Sequence, residues 1–173
     1  VYGELVAEHI DPIEKKPLFH VLPGSLSLSI ATMGCNFKCQ HCQNHSISQV
    51  HGLRPAELKG RKVRAEQVVE NAIRNGCKSI SYTYVEPTVF FEFAYDCARL
   101  AVENNLKNIF VSNGYLSEQA SRDISPYLDV INIDIKSYND DFYKKICGAK
   151  LKPVLDNVKL MKELGVWVEV TTL

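Results

Sequence analysis

Strand after strand in this chain is polar on one face and apolar on the other. In "LSLSIAT" (26–32), Ser27 and Ser29 alternate with Leu26, Leu28 and Ile30. In "KSISYTYVEP" (78–87), Ser79, Ser81 and Thr83 alternate with Ile80, Tyr82 and Tyr84. In "LDVINIDIKS" (128–137), Asn132, Asp134 and Lys136 oppose Ile131, Ile133 and Ile135, and in "VWVEVTTL" Glu169 and Thr171 oppose Val168 and Val170. Successive side chains of a strand point to opposite faces, so each strand has one wet or tightly satisfied face and one greasy one. Only "KNIFVSN" (107–113) departs from the rule.

Between these strands lie helical stretches. Residues 65–75 put Val68, Val69, Ala72 and Ile73 on one stripe. Thr88 is placed to cap the apolar helix that follows it, Ser117 and Asn139 to cap two more, and Gly148 to stop the third; Pro153 opens a last helix that closes at Gly165. Strand–helix alternation at this spacing predicts parallel βαβ units. A doubly wound sheet, covered on both faces, would need strands apolar on both faces. The predicted fold is therefore α/β, a partial parallel (β/α) barrel with apolar residues under the outer helices and polar residues along a wet lumen.

Five strands are legible, after a Pro-punctuated lead-in of residues 1–24; residues 25–173 form the core. The chain opens on Val1 and stops at Leu173 inside an apolar run. This is expected of a barrel truncated after about five strands, whose last strand is an edge open to association. No apolar run approaches the roughly 18 residues of a membrane helix, and no signal-peptide pattern opens the chain. Lysine plus arginine and aspartate plus glutamate both number 20, so no overall field favours nucleic acid or an anionic membrane. Six cysteines, three of them scattered, are too few for a secreted disulfide scaffold of this length. A reducing cytoplasm is the expected setting.

The other three cysteines sit together in "TMGCNFKCQHCQN" (32–44), as C-x-x-x-C-x-x-C directly after the first strand. The spacing alone leaves three chemistries open. Zinc would take Cys35, Cys39 and Cys42 with His41 or, sterically better, His45. A dithiol redox pair would use Cys39 and Cys42 and leave Cys35 without a role. An iron–sulfur cluster held by three cysteines would leave one iron with an open position. Cys77, Cys97 and Cys147 lie in or beside apolar helices, where small buried hydrophobes are expected. None brings a second cysteine with it, so three ligands and a vacancy is the better reading.

At this point the chain resembles a known family. C-x-x-x-C-x-x-C after the first barrel strand resembles the radical S-adenosylmethionine (radical SAM) enzymes. The lead-in "DPIEKKPLFH" with "YTYVEPT", "FVSNGY" and "INIDIKSYNDDFYKKICGA" is similar to the radical SAM group of the AmmeMemoRadiSam system, relatives of the pyruvate formate-lyase-activating enzymes. The resemblance implies a 4Fe–4S cluster on Cys35, Cys39 and Cys42, with S-adenosylmethionine on the open iron. It also implies reductive cleavage of that cofactor to a 5′-deoxyadenosyl radical that abstracts hydrogen from a substrate, an oxidoreductase-type activity in which the cofactors carry the hard chemistry. Glu86 would face the methionine amino group, although Tyr84 and Val85 stand where the family usually has glycines. Ser112 and Asn113 would contact the ribose, Asp134 and Lys136 would lie near the cofactor carboxylate, and His41 would meet the adenine.

Bland readings stand beside these. Glu86 is suited to a helix N-terminus, Asn113-Gly114 to a turn, Asp134 and Lys136 to a mutual ion pair, and Lys15 and Lys16 to a solvated turn; His45 and His51 carry no assigned role. By the same resemblance the partners are a substrate that is not identified and is possible as a protein, Memo-like and AMMECR-like proteins, and an electron donor such as flavodoxin or ferredoxin. No membrane or nucleic-acid partner is implied. The alternatives are a zinc-stabilised binding module and a glycyl-radical-activating enzyme.

Overall fold

The computed structural model describes residues 2–50 and 60–172; His51 lies outside them. The chain order is β1 (Glu4–Leu5), β2 (Ala7–Pro12), β3 (Leu26–Ala31), α1 (His45–Ser48), β4 (Arg61–Lys62), α2 (Ala65–Arg74), β5 (Ser79–Tyr82), α3 (Phe91–Glu103), β6 (Lys107–Ser112), α4 (Glu118–Ile124), β7 (Val130–Ile135), α5 (Asp140–Phe142), α6 (Leu151–Glu163) and β8 (Trp167–Thr172). The main sheet has six strands in the order β2-β3-β5-β6-β7-β8. The last five run parallel, as expected, each crossing to its neighbour through a helical connection. The remaining strand comes from the lead-in: β2 pairs antiparallel with β3, Asp11 opposite Ser27.

The alternation sorts the two faces. Leu28, Ile30, Ile80, Phe110, Ile131 and Ile133 join the helix residues Val68, Phe93, Ala98, Val154 and Met161 in one buried cluster. Among the helix-stripe residues Ile73 is the exception, 49% exposed. At the helix ends, Ser117 accepts from the Ala120 N–H and Asn139 from those of Asp141 and Phe142. Gly148 ends its helix with a left-handed φ of 69°. The segment Tyr143–Cys147 before it is a π-helical turn. The third helix starts differently from expectation. Glu86, not Thr88, caps the 3-10 turn Pro87–Phe90 that leads into α3. The last helix begins at Leu151, with Pro153 in its first turn.

The other face of the sheet is not the wet channel the serines predict. Ser27, Ser29, Ser79 and Ser81 are fully buried, and Ser27 and Ser81 share a 2.6 Å hydrogen bond. The lead-in plugs this half of the lumen, where Ile13 and Leu18 pack on Ile109 and Val130. That contact explains the strand that broke the rule: β6 turns Ile109 and Val111 inward because the plug is apolar there. Asn132 donates to the Pro17 carbonyl (3.0 Å), and Glu169 accepts from the Phe19 and His20 backbone, so the inward polar residues tie the plug down. Small serines on the first strands leave room for it. The end at the strands' C-termini is open, and β8 forms an exposed sheet edge with Trp167 and Val170 half-exposed.

Candidate active site

A cavity of about 540 Å³ opens at the C-terminal ends of the parallel strands, within the usual size of a small-molecule site. All nine residues singled out in the sequence line it: Cys35, Cys39, Cys42, His41, Glu86, Ser112, Asn113, Asp134 and Lys136. Parallel sheets gather functional groups here because every strand ends in a loop on this side.

The cysteine loop follows β3 and is pinned from both flanks. The Phe37 ring is buried edge-on against Tyr115 and Tyr143. The Lys38 N–H donates to the Cys147 carbonyl (2.8 Å) and the Gln40 N–H to that of Ile146 (3.1 Å). The Phe37 N–H points at the Cys35 sulfur (3.4 Å), and Cys42 Sγ meets Ser48 Oγ at 3.2 Å. All six cysteines are free thiols, and the three of the loop are half-buried. Burial pushes the Cys35 thiol up, with the Glu86 charge adding to it. Burial, then the nearby Cys147 sulfur, raises Cys39 to about 12. Cys147 is fully buried, as expected, but its contact with Cys39 is something the sequence did not indicate.

The donor set fits a polynuclear cluster. A single zinc ion with sulfur bonds of about 2.3 Å needs its ligands to converge on one point. A cluster instead takes each thiolate on a different iron. His45 is exposed on α1.

Glu86 is the most constrained polar group in the cavity, 2% exposed. Its carboxylate accepts from Ser112 Oγ (2.9 and 3.1 Å), the Asn113 N–H (2.8 Å), and the Thr88 Oγ1 and N–H (3.1 and 3.4 Å). Among the described residues every donor is neutral. Burial raises its pKa, and these hydrogen bonds offset the rise only in part. A buried anion without a cation is costly, and a cationic ligand would supply the partner. The helix-capping role and the site role of Glu86 therefore coexist. Asn113 donates to Asn36 Oδ1 (2.7 Å), joining the end of β6 to the cysteine loop. The turn after it needs glycine: a Cβ on Gly114 would lie 2.8 Å from Ile133 Cγ2.

Lys136 donates to Asp134 (2.7 Å). Burial alone would lower its pKa, but Asp134 and the nearby Cys39 and Cys147 sulfurs raise it. The expected ion pair is thus present, at the cavity wall. The His41 ring is exposed beside Phe142, 5.9 Å between centroids.

Among the further residues that line the cavity are three polar ones that sequence reasoning did not assign to it and that contact one another: Asp11, Lys16 and Tyr84. Tyr84 stands where the resembled family has glycine and adopts a left-handed φ of 66°. That conformation costs a non-glycine residue roughly 1–2 kcal/mol. Asn44 holds it by donating to the Tyr84 carbonyl (2.8 Å), and the Tyr84 hydroxyl donates to Asp11 (2.6 Å). The only available signal was the pattern itself, a tyrosine replacing a residue free to take positive φ.

Residues 29–173 match the Radical SAM superfamily. The chain is 51% identical over 172 residues to the uncharacterized protein MJ0808 of Methanocaldococcus jannaschii, covering 99% of this chain and 50% of that protein. It is 24% identical over 141 residues to a pyruvate formate-lyase-activating enzyme of Clostridium pasteurianum, covering 78% of this chain and 56% of the enzyme. The chain thus spans about half the length of the curated relatives it matches. Its fold is similar to that of Streptococcus suis SuiB bound to S-adenosylmethionine, with TM-score 0.62, 16% identity, and coverage of 80% of this chain and 31% of that one.

Proposed function

The chain belongs to the radical SAM superfamily, and from that premise we propose that it is an enzyme with a 4Fe–4S cluster on Cys35, Cys39 and Cys42 and S-adenosylmethionine beside it. When bound, this pair supplies a 5′-deoxyadenosyl radical, formed by reductive cleavage, that abstracts hydrogen from the substrate. The chain's own residues do the placing. Glu86 accepts the ammonium group of the cofactor, Lys136 with Asp134 meets its carboxylate, Ser112 and Asn113 contact the ribose, and the backbone around His41 meets the adenine. The aromatic wall of Phe37, Tyr115 and Tyr143 behind the cysteine loop keeps water from its inner side.

The observation that carries this reading is Glu86: a buried carboxylate satisfied, among the described residues, by neutral donors alone, in one cavity with three free cysteines. Within the superfamily we assign the chain to the AmmeMemoRadiSam group. That assignment is supported by the lead-in and strand-end motifs, with residues 25–173 as the core and 1–24 as its plug. Memo-like and AMMECR-like proteins, and a flavodoxin or ferredoxin as electron donor, are the partners this implies, in a cytoplasmic setting. Among the described residues no helix is long and apolar enough to cross a membrane. The similarity to a pyruvate formate-lyase-activating enzyme favours, as a second reading, a substrate that is a protein glycine.

Anaerobic reconstitution with iron and sulfide tests the proposal. The expected product is brown, with about four irons per chain, and with reductant it releases 5′-deoxyadenosine and methionine. Alanine at Cys35, Cys39 or Cys42 should each abolish the colour, whereas Cys147→Ala should keep it. A colourless protein holding one zinc, or a Cys39→Ala variant with unchanged metal content, refutes the assignment.

A further inference from the structure

The two lysines of the lead-in, expected in a solvated turn, have opposite fates. Both line the cavity that holds the cysteines, but the Lys15 side chain is 67% exposed, whereas that of Lys16 is 2% exposed. Lys16 Nζ donates to Asp11 at 2.8 Å and lies 4.7 Å above the centre of the Tyr84 ring. Asp11 is saturated: it also accepts from Lys15 (3.1 Å), Ser29 (3.1 Å) and Tyr84 (2.6 Å). Lys16 is not. An ammonium has three N–H donors, and among the described residues one acceptor is in reach. The face of Tyr84 supplies attraction to the cation without accepting a conventional bond.

Stability alone gives no reason for this arrangement. A buried ion pair is commonly no more stabilising than apolar side chains of the same volume. Here it also holds Tyr84 in its left-handed conformation. The charges around the cavity are unevenly placed as well. Among the described residues Lys136 is matched by Asp134, Glu86 has no cation, and Asp11 carries two lysines. One part of the wall has a surplus negative charge and the lead-in part a surplus positive one. The first suits an ammonium. The second suits an anion.

We propose that Lys16 is the seat for an anionic group, a carboxylate or a phosphate, on the substrate, with Asp11 and Tyr84 as the residues that position its ammonium. The seat rests on the radical SAM reading only in calling its occupant the substrate. Lys16 directs its spare N–H groups at the oxyanion, Asp11 keeps the lysine charged, and the Tyr84 ring fixes where the ammonium sits. The lead-in is then part of the substrate site as well as a plug.

The test uses the full chain, reconstituted and saturated with S-adenosylmethionine so that the cofactor's own carboxylate site is filled. Inorganic phosphate and malonate are titrated separately by calorimetry, one arm for each oxyanion. At least one should bind at a single site, and Lys16→Met should weaken it by about tenfold or more, the scale of a charge-assisted hydrogen bond; Lys16→Arg should recover part of the loss. If Lys16→Met does not fold, the paired variant Asp11→Asn/Lys16→Met, which removes both charges, gives the same readout. Binding of neither anion, or equal binding by wild type and variants, overturns the proposal. So does a Lys16→Met variant that loses affinity for S-adenosylmethionine while keeping the anion. Cleavage of S-adenosylmethionine by the wild type, measured without added anion, separates the two ideas. No cleavage with Lys16-dependent anion binding sinks the cofactor reading and supports the seat, and cleavage without anion binding sinks the seat alone.

Discussion

Replacing Glu86 by glutamine separates the two things a buried carboxylate can be for. Glutamine keeps the shape. With its carbonyl oxygen placed where Oε2 lies, it still accepts from the Asn113 N–H and Ser112 Oγ. Its amide nitrogen then faces two hydroxyls, Thr88 Oγ1 and Ser112 Oγ, which can rotate to accept, and one N–H at 3.4 Å that cannot. One long donor–donor contact is thus exchanged for the desolvation of a full charge, so stability of the cofactor-free fold should change by no more than about 1 kcal/mol. The pH dependence has a definite sign. Burial raises the folded-state pKa of Glu86 above its ordinary value of about 4.3. The native state therefore holds the proton longer than the unfolded chain, and the wild type should lose stability as pH rises from that value through the raised one. Glu86→Gln should lack this slope.

Cofactor binding should respond in the opposite way. Losing a charge-assisted bond to an ammonium costs about 1.5–3 kcal/mol, or roughly 10- to 150-fold in affinity. Urea titrations across pH and equilibrium binding of S-adenosylmethionine to the reconstituted protein measure the two quantities. Binding within twofold of wild type would refute Glu86 as the ammonium seat. A cofactor-free variant destabilised by several kcal/mol would show that the carboxylate serves the fold.

Two further outcomes follow from the lead-in and the sheet edge. Asp11→Asn leaves Lys16 buried without its counter-ion and should cost roughly 3–5 kcal/mol in urea denaturation, most of it recovered in Asp11→Asn/Lys16→Met. Burial opposes the Asp11 charge, but hydrogen bonds from Lys16, Tyr84 and Lys15 outweigh it and hold its pKa well below the usual range. Its contribution should therefore be complete above about pH 4 and fade as the solution is made more acidic, a loss absent from the paired variant. At the other end of the sheet, the edge strand β8 predicts self-association of this chain. Val170→Lys, at a half-exposed position, should reduce it in sedimentation while shifting stability by no more than about 0.5 kcal/mol. An unchanged sedimentation profile would mean that the edge is not the sticky surface.

The strand pattern and the cysteine spacing carried much of this protein in local form. Alternation of period two marked four of the five parallel strands, all but β6, and assigned their outer faces, because each strand's burial is written into adjacent residues. The cysteine triplet was legible in its spacing, and the strand-end residues Glu86, Ser112, Asn113, Asp134 and Lys136 through the family resemblance; they share one cavity because a parallel sheet delivers all its strand ends to one side. What the strands pack against on the inside was not local. The serines of β3 and β5 signalled a small polar surface equally compatible with water or with a plug.

Only the tertiary structure decided between those. The lead-in folds back as an antiparallel edge strand and fills half the lumen, and it buries Lys16 while leaving its neighbour Lys15 in solvent. Asp11 and Tyr84 meet across 73 residues of chain, and Asn36 and Asn113 across 77. No window of sequence contains both partners of such a bond. The sequence by itself determined which chemistry this fold can hold. The long-range pairings decided which charges remain unmatched around it, and so where its ligands would sit.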